Sequence, residues 1–135
     1  MALAPRPIGD ITSYHAHVYY DPDATQGQAE WLRERVGERF KVRLGRWHGR
    51  AIGPHGAPMF QISFPLALFD SLVPWLMLNR QDLSVLVHPN TDNQRKDHAR
   101  HALWLGPPAP LFPEVLEETP LDDENEPNTS PSLAP

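Results

Sequence analysis

Seven histidines occur in 135 residues, with no cysteine. His15-Ala16-His17 lies in a strand-like run, His88 ends a second such run, and His98 and His101 follow three residues apart. His55 sits in the turn Gly53-Pro54-His55-Gly56. Neutral imidazole is the commonest protein metal ligand and the commonest acid/base group near neutral pH. Histidines grouped without thiolates point to a metal in nitrogen and oxygen coordination, or to acid/base chemistry. The lack of cysteine excludes disulfides, thiolate metal sites and thiol catalysis together.

These side chains need strands to hold them. Ile11 to Tyr20 is rich in β-branched and aromatic residues and stops at Asp21-Pro22, a turn signal. Asp23 to Phe40 places Ala29, Leu32, Val36 and Phe40 at helical spacing, with Asp23 and Thr25 as candidate N-caps. Lys41 to Trp47 and Met59 to Phe64 read as strands around a Gly/Pro-rich loop. Pro65 opens a second helix, with Leu68, Phe69, Leu72, Val73 and Leu76 as its apolar stripe. Pro74 inside that stripe predicts a kink or a division. Leu83 to Val87 is an apolar strand, and Asp97 to Leu105 reads as a short helix closed by Gly106-Pro107. The order β-α-β-β-α-β predicts an α+β fold of ferredoxin-like type, with helices on one face of an antiparallel sheet.

Strand parity then sorts the side chains. His15, His17 and Tyr19 point to one face and Tyr14, Ala16, Val18 and Tyr20 to the other. Gln61, Ser63, Ser84 and His88 belong with the histidines on the helix-free face. In this topology the first and third strands are central, and the fourth pairs with the first. His15 or His17 therefore comes within reach of His88, because opposed Cβ atoms are only about 5 Å apart. His55 can reach the same face from its loop. Met59 and Leu86 on that face need cover, from a partner subunit or from the C-terminal segment.

The ordinary reading of each residue is weighed beside this one. A single histidine is most often a surface or core residue, and His48 is read so. His98 and His101, one helical turn apart, also fit a solvated face. Trp75, Trp104 and Leu76 read as core; Asp92, Arg95, Lys96 and Asp97 read as solvated loop charges.

Bulk properties bound the rest. The net charge of −5 is carried by the end of the chain. Seven of the 17 acids lie beyond Arg100, where no Lys or Arg occurs, leaving 12 basic and 10 acidic residues before them, a formal +2. That balance argues against nucleic acid, which wants a clustered basic face. Eight of the 16 prolines lie from Pro107 onward, and residues 120–135 are acidic and poor in apolar side chains, so they are expected to be disordered. Leu111, Phe112, Val115 and Leu116 before them can dock. The chain divides into an N-terminal arm (1–10), a folded body (11–106) and this tail (107–135). The arm has no apolar stretch of signal-peptide type, and no run approaches the roughly 20 apolar residues of a membrane span. The expectation is a cytoplasmic protein with no membrane partner.

Several strings together resemble the DOPA 4,5-dioxygenase family. They are Tyr14-His15-Ala16-His17-Val18-Tyr19-Tyr20, Gly53-Pro54-His55, Pro74-Trp75-Leu76 with Asn79-Arg80, Leu83 through Thr91, and Asp97-His98 through His101-Ala102-Leu103-Trp104-Leu105-Gly106. The run from Val87 to Thr91 and the Trp104-Leu105-Gly106 ending are the specific parts. The resemblance covers about Ile11 to Gly106. It implies a ferredoxin-like subunit, a homodimer, and extradiol cleavage of a catechol such as DOPA by O₂ at a non-haem metal, with Fe(II) expected. On this reading His17, His55 and His88 are the metal ligands. His15, His98 and His101 serve acid/base and substrate contact, and Arg43, Trp47 and Asn90 hold the substrate. Extradiol sites usually use two histidines and a carboxylate. Here no carboxylate falls on the open face, and Gln61 stands where a Glu would serve. Imidazoles alone bind Zn(II) at least as well as Fe(II), so a purified sample can carry zinc. A non-catalytic module that binds a metal or an aromatic ligand on the same fold is the alternative. An RNA-recognition domain of this topology ranks far lower.

Overall fold

The strand that carries His15 and His17 lies in the middle of the sheet. In the computed structural model, which describes residues 3–122 and 124–135, β1 (Ser13–Tyr19) is flanked on both sides. Met1, Ala2 and Asp123, the last one of the tail acids counted above, lie outside the described residues. The other elements are α1 (Gln26–Arg39), β2 (Arg43–Leu44), β3 (Met59–Phe64), α2 (Phe69–Asn79), β4 (Ser84–Asn90), α3 (Gln94–Asp97) and β5 (Leu103–Leu105). The sheet order is β2-β3-β1-β4-β5, and every pairing is antiparallel. The first four strands and two long helices thus form the expected α+β, ferredoxin-like arrangement.

The core explains why these segments fold as they do. Ala16 and Val18 of β1, Phe60 and Ile62 of β3, and Val85 and Val87 of β4 share one cluster with Leu32 and Val36 of α1 and Leu72 and Leu76 of α2. Alternation along each strand supplies one apolar face, and helical spacing supplies the matching stripes. The opposite face carries the histidines. Its apolar residues Tyr19, Met59 and Leu86 are covered by the chain itself, through Ala102, Trp104, Ala109 and Leu111. Trp104 therefore packs on the histidine face, against Tyr19, and not in the main core.

Four expectations are corrected. Residues 97–105 are not one helix: α3 ends at Asp97, and Leu103–Leu105 is a strand. The open edge of β4 takes up these residues, pairing Val85 with Leu105 and Val87 with Leu103. Asn93 starts α3, its side chain accepting from Lys96 N. Second, Pro74 does not divide α2, which is continuous from Phe69 to Asn79; a 3₁₀ turn at Leu66–Leu68 precedes it. Third, β2 is only two residues long, although Gly45 N still donates to Gln61 O at 2.8 Å. Fourth, β4 extends past Val87 through Pro89. A proline is tolerated there because β5 stops at the level of Val87 and leaves that edge unpaired.

The tail also differs from a disordered segment. Leu44 N donates to Asn128 Oδ1 (2.8 Å), and Asn128 Nδ2 donates to Leu44 O (2.9 Å). Val42 N donates to Thr129 Oγ1 (2.9 Å), which donates to Phe40 O (2.7 Å). Composition alone cannot show this, because these bonds answer the unpaired backbone groups of an edge strand. Among the described residues, no helix is long and apolar enough to cross a membrane.

The docked tail makes a prediction. Replacing both Asn128 and Thr129 by Ala should cost about 2 kcal/mol, at roughly 1 kcal/mol per hydrogen-bonding side chain. Urea denaturation of the full chain checks this; an unchanged midpoint would show that the tail is not held.

Candidate metal centre

The register of β1 builds the centre. His15 stands directly opposite His88 on β4 and Ser63 on β3, and His17 opposite Leu86 and Gln61. His17 Nε2 lies 3.0 Å from His88 Nε2. The loop after β2 brings His55 against His17, with ring centroids 4.1 Å apart. His98, just beyond α3, lies 3.9 Å from the His88 ring centroid. Five imidazoles thus converge, and all are buried: His15 1 %, His17 2 %, His55 5 %, His88 0 % and His98 5 % exposed.

Among the described residues, two groups of three have ligand atoms within 4.8 Å of one another: His15, His17 and His88, and His17, His55 and His98. Neither coincides with the trio His17, His55 and His88 expected from the resemblance, although His17 touches both other members. His101 joins neither group. Its Nδ1 donates to Asp97 Oδ1 at 2.9 Å, and it lines a cavity of about 210 Å³ with Tyr14, Phe69, Leu103 and His88 of the cluster. Arg43 does face the histidine side, since it pairs with Ser63. It lines a cavity of about 250 Å³ with Arg46, Gln61 and Ser63, and its guanidinium also meets Glu124 at 3.1 Å. Asn90 is buried at the end of the histidine row, where Nδ2 donates to Ser13 Oγ. Trp47 is not at the centre: it stacks on Tyr20 and Phe60, against the main core.

Burial governs the electrostatics. It lowers His17, His88 and His98 below the usual imidazole range, and pushes His55 down to about 3. Neighbouring imidazoles add to the effect, since a positive charge on one repels a positive charge on the next. These four rings are therefore uncharged at neutral pH, with lone pairs available. His88 Nδ1 donates to Pro89 O at 2.9 Å and His98 Nδ1 to Gln94 O at 2.8 Å. A carbonyl can only accept, so Nε2 of both rings carries the lone pair. A backbone carbonyl on the far nitrogen is the usual support for a metal-binding histidine.

The donors present fit a metal ion. Two nitrogens 3.0 Å apart can both sit about 2.1 Å from one ion. The buried Nδ1 of His17 has no hydrogen-bond partner, so its ring is not committed elsewhere through that atom. Neither group contains a carboxylate. The nearest buried acid, Asp97, was read from sequence as a solvated charge. It is 1 % exposed and accepts from Thr91 N, Thr91 Oγ1 and His101 Nδ1.

Comparison with known proteins places the chain in a family. The profile of the Dopa 4,5-dioxygenase family matches residues 14–115. The chain belongs to the Dopa 4,5-dioxygenase family. It is 34 % identical over 119 residues to an uncharacterized 21.2 kDa protein of Botryotinia fuckeliana, covering 79 % of this chain and 64 % of that protein. It is 33 % identical over 132 residues to a DOPA 4,5-dioxygenase of Amanita muscaria, covering 92 % of this chain and 57 % of that enzyme. The chain thus spans about three-fifths of the length of these curated relatives. A solved structure from Nostoc punctiforme, named a "putative dioxygenase", is 46 % identical with a TM-score of 0.80, covering 82 % of this chain and 96 % of that one.

Within this Dopa 4,5-dioxygenase member, sequence reasoning missed Asp97, Arg46 and the place of Trp104. A carboxylate four residues before His101 was the available signal for the first, since i and i+4 meet on one helical face. Tyr19 was placed on the right face, but its contact with His55 was not foreseen: its hydroxyl lies 2.5 Å from His55 Nδ1.

The lowered imidazoles make stability depend on pH. The folded values lie below the unfolded value of about 6.5, so the unfolded chain binds more protons below that pH. Their contribution is complete above about pH 6.5 and is lost as pH falls towards the folded values, about 3 for His55. Each such ring adds a slope of up to about 1.4 kcal/mol per pH unit in that window. Metal-free protein should therefore lose stability between pH 6.5 and 5, before carboxylates titrate. Denaturation in chelator at several pH values measures it, and a flat profile down to pH 5 would contradict the neutral cluster.

Proposed function

We propose that the chain is a metal-dependent extradiol ring-cleaving dioxygenase that acts on a catechol such as DOPA. The observation that carries this reading is the buried, carboxylate-free imidazole cluster in a member of this family. His17 and His88 keep the ligand role expected of them. His15 takes the third place, because it completes a group of three with them. The expected metal is Fe(II). When bound, a redox-active divalent metal supplies joint activation of a catechol and O₂ in one coordination sphere.

The chain's own residues prepare the substrate. His98 is uncharged and its Nε2 lone pair is fixed by the bond from Nδ1 to Gln94 O, so it accepts a proton from a catechol hydroxyl. Arg43 and Arg46, in the cavity beside Gln61 and Ser63, suit the carboxylate of an amino-acid side arm. The apolar cover of Trp104, Ala109 and Leu111 excludes water from the histidine face. Trp47 receives no role, and His101 acts at most from outside the cluster. The reading includes the homodimer, for which sedimentation should give about twice 15.3 kDa.

The closed burial of the cluster favours a second reading, a binding module that holds metal and an aromatic ligand without turnover. One experiment separates the two. Protein loaded with Fe(II) without air, then given DOPA and O₂, should consume oxygen and form a yellow ring-opened product. Arg43→Ala should raise KM by about tenfold with kcat little changed, the value of one charge-assisted hydrogen bond to bound substrate. His17→Ala and His88→Ala should lose the metal. Catechol binding without oxygen uptake selects the module. No oxygen uptake with any catechol, together with metal content unchanged in His17→Ala, overturns both.

A further inference from the structure

The histidines of the cluster differ in which nitrogen bears the hydrogen. In His88 and His98 a backbone carbonyl fixes it on Nδ1. His55 has a different support: its Nδ1 faces the hydroxyl of Tyr19 at 2.5 Å. A phenol both donates and accepts, so the direction of this bond follows from what else Tyr19 can do. Tyr19 is 4 % exposed and lies against Trp104, and its phenol carries one hydrogen to place. Among the described residues, His55 Nδ1 is the hydrogen-bond partner of that hydroxyl. If Nδ1 donated, the buried hydroxyl hydrogen would be left without an acceptor; if the phenol donates, both groups are satisfied. Nδ1 of His55 then carries the lone pair and Nε2 the hydrogen.

We propose that Tyr19 is a positioning residue that holds His55 as an Nε2–H donor aimed at a ligand oxygen, so that His55 is not a metal ligand. This inference rests on the reading of His15, His17 and His88 as the metal holders. It changes the role that the family resemblance suggested for His55, while His98 keeps its own. His98 presents a lone pair and His55 a hydrogen, their ring centroids 5.8 Å apart with His17 in a group with both. Such a pair accepts from one ligand oxygen and donates to another, which suits a catechol with one hydroxyl deprotonated. As an Nε2–H donor His55 acts without becoming charged.

Long-range ¹H–¹⁵N correlation spectra of the full chain, metal-free and then loaded with Zn(II), read the tautomers directly. The expected result is a hydrogen on Nε2 of His55 in both states and on Nδ1 of His88 and His98. A hydrogen on Nδ1 of His55 in either state overturns the proposal. Tyr19→Phe should release His55 into a mixture of both tautomers, which a merely space-filling tyrosine would not do; an unchanged Nε2–H signal in that variant denies Tyr19 its role. Competition with a chromophoric chelator gives the second readout. His55→Gln, whose amide still donates, should hold zinc within about threefold of the parent, whereas His88→Gln should weaken it at least tenfold, by about 1.4 kcal/mol or more. Equal weakening in both variants makes His55 a ligand and overturns the inference alone. If neither variant alters zinc binding, the metal reading falls, and the tautomer spectra still decide the role of Tyr19.

Discussion

Burying uncharged imidazoles beside one another is the constraint on which the centre depends. An isolated buried charge costs several kcal/mol, and a second like charge beside it costs more. His17, His55, His88 and His98 answer this by staying neutral, which is why burial lowers all four. Neutral rings still need partners for their N–H groups. Pro89 O and Gln94 O provide two of them, and both belong to segments placed by β4 and its continuation into α3. The backbone thus decides which way each ring presents its lone pair. The central position of β1 follows from the same need, because only a strand paired on both sides can set His15 and His17 against β3 and β4 at once.

Much of this was legible because it depends on parity. A period of two puts His15, His17 and Tyr19 on one face, and the β-α-β-β-α-β order makes β1 the neighbour of β4. His55 was legible as a loop residue within reach. His98 was harder. The string from Asp97 to Leu105 carries helical spacing, but tertiary pairing with the open edge of β4 overrides it from Leu103 onward. His98 therefore lies just past α3, where its ring meets His88, instead of on a solvated helical face. Trp47, given a substrate role only by the resemblance, lies beyond the two-residue β2 and stacks on Tyr20 and Phe60.

The acidic residues show where composition misleads. Asp97 lies among Asp92, Arg95 and Lys96, a run that reads as solvated. Its burial follows from the turn after β4, where both the N–H and the hydroxyl of Thr91 donate to its carboxylate. The tail is the converse case. Its last part, from residue 120, is poor in apolar side chains, yet Asn128 and Thr129 hold β2 and the residues just before it by bonds that imitate a neighbouring strand. Sequence hydrophobicity measures one source of order, and side-chain bonds to unpaired backbone are another.

A centre built from neutral nitrogens alone would have a consequence for any metal bound there. With no carboxylate in either group of three, the ligands bring no negative charge to a divalent ion. A divalent ion there would keep its full charge in a buried site, and the compensating charge would have to come from what binds beside it. A catechol, which has two ionisable oxygens on adjacent carbons, meets that need better than a neutral ring. The same donor set does not discriminate by affinity in favour of iron, since zinc binds nitrogen ligands more tightly than Fe(II) in the general order. Chemistry on O₂ nonetheless demands a redox metal, and zinc has none. In this fold the imidazoles set where a metal would sit and which ring nitrogens of His88 and His98 would face it.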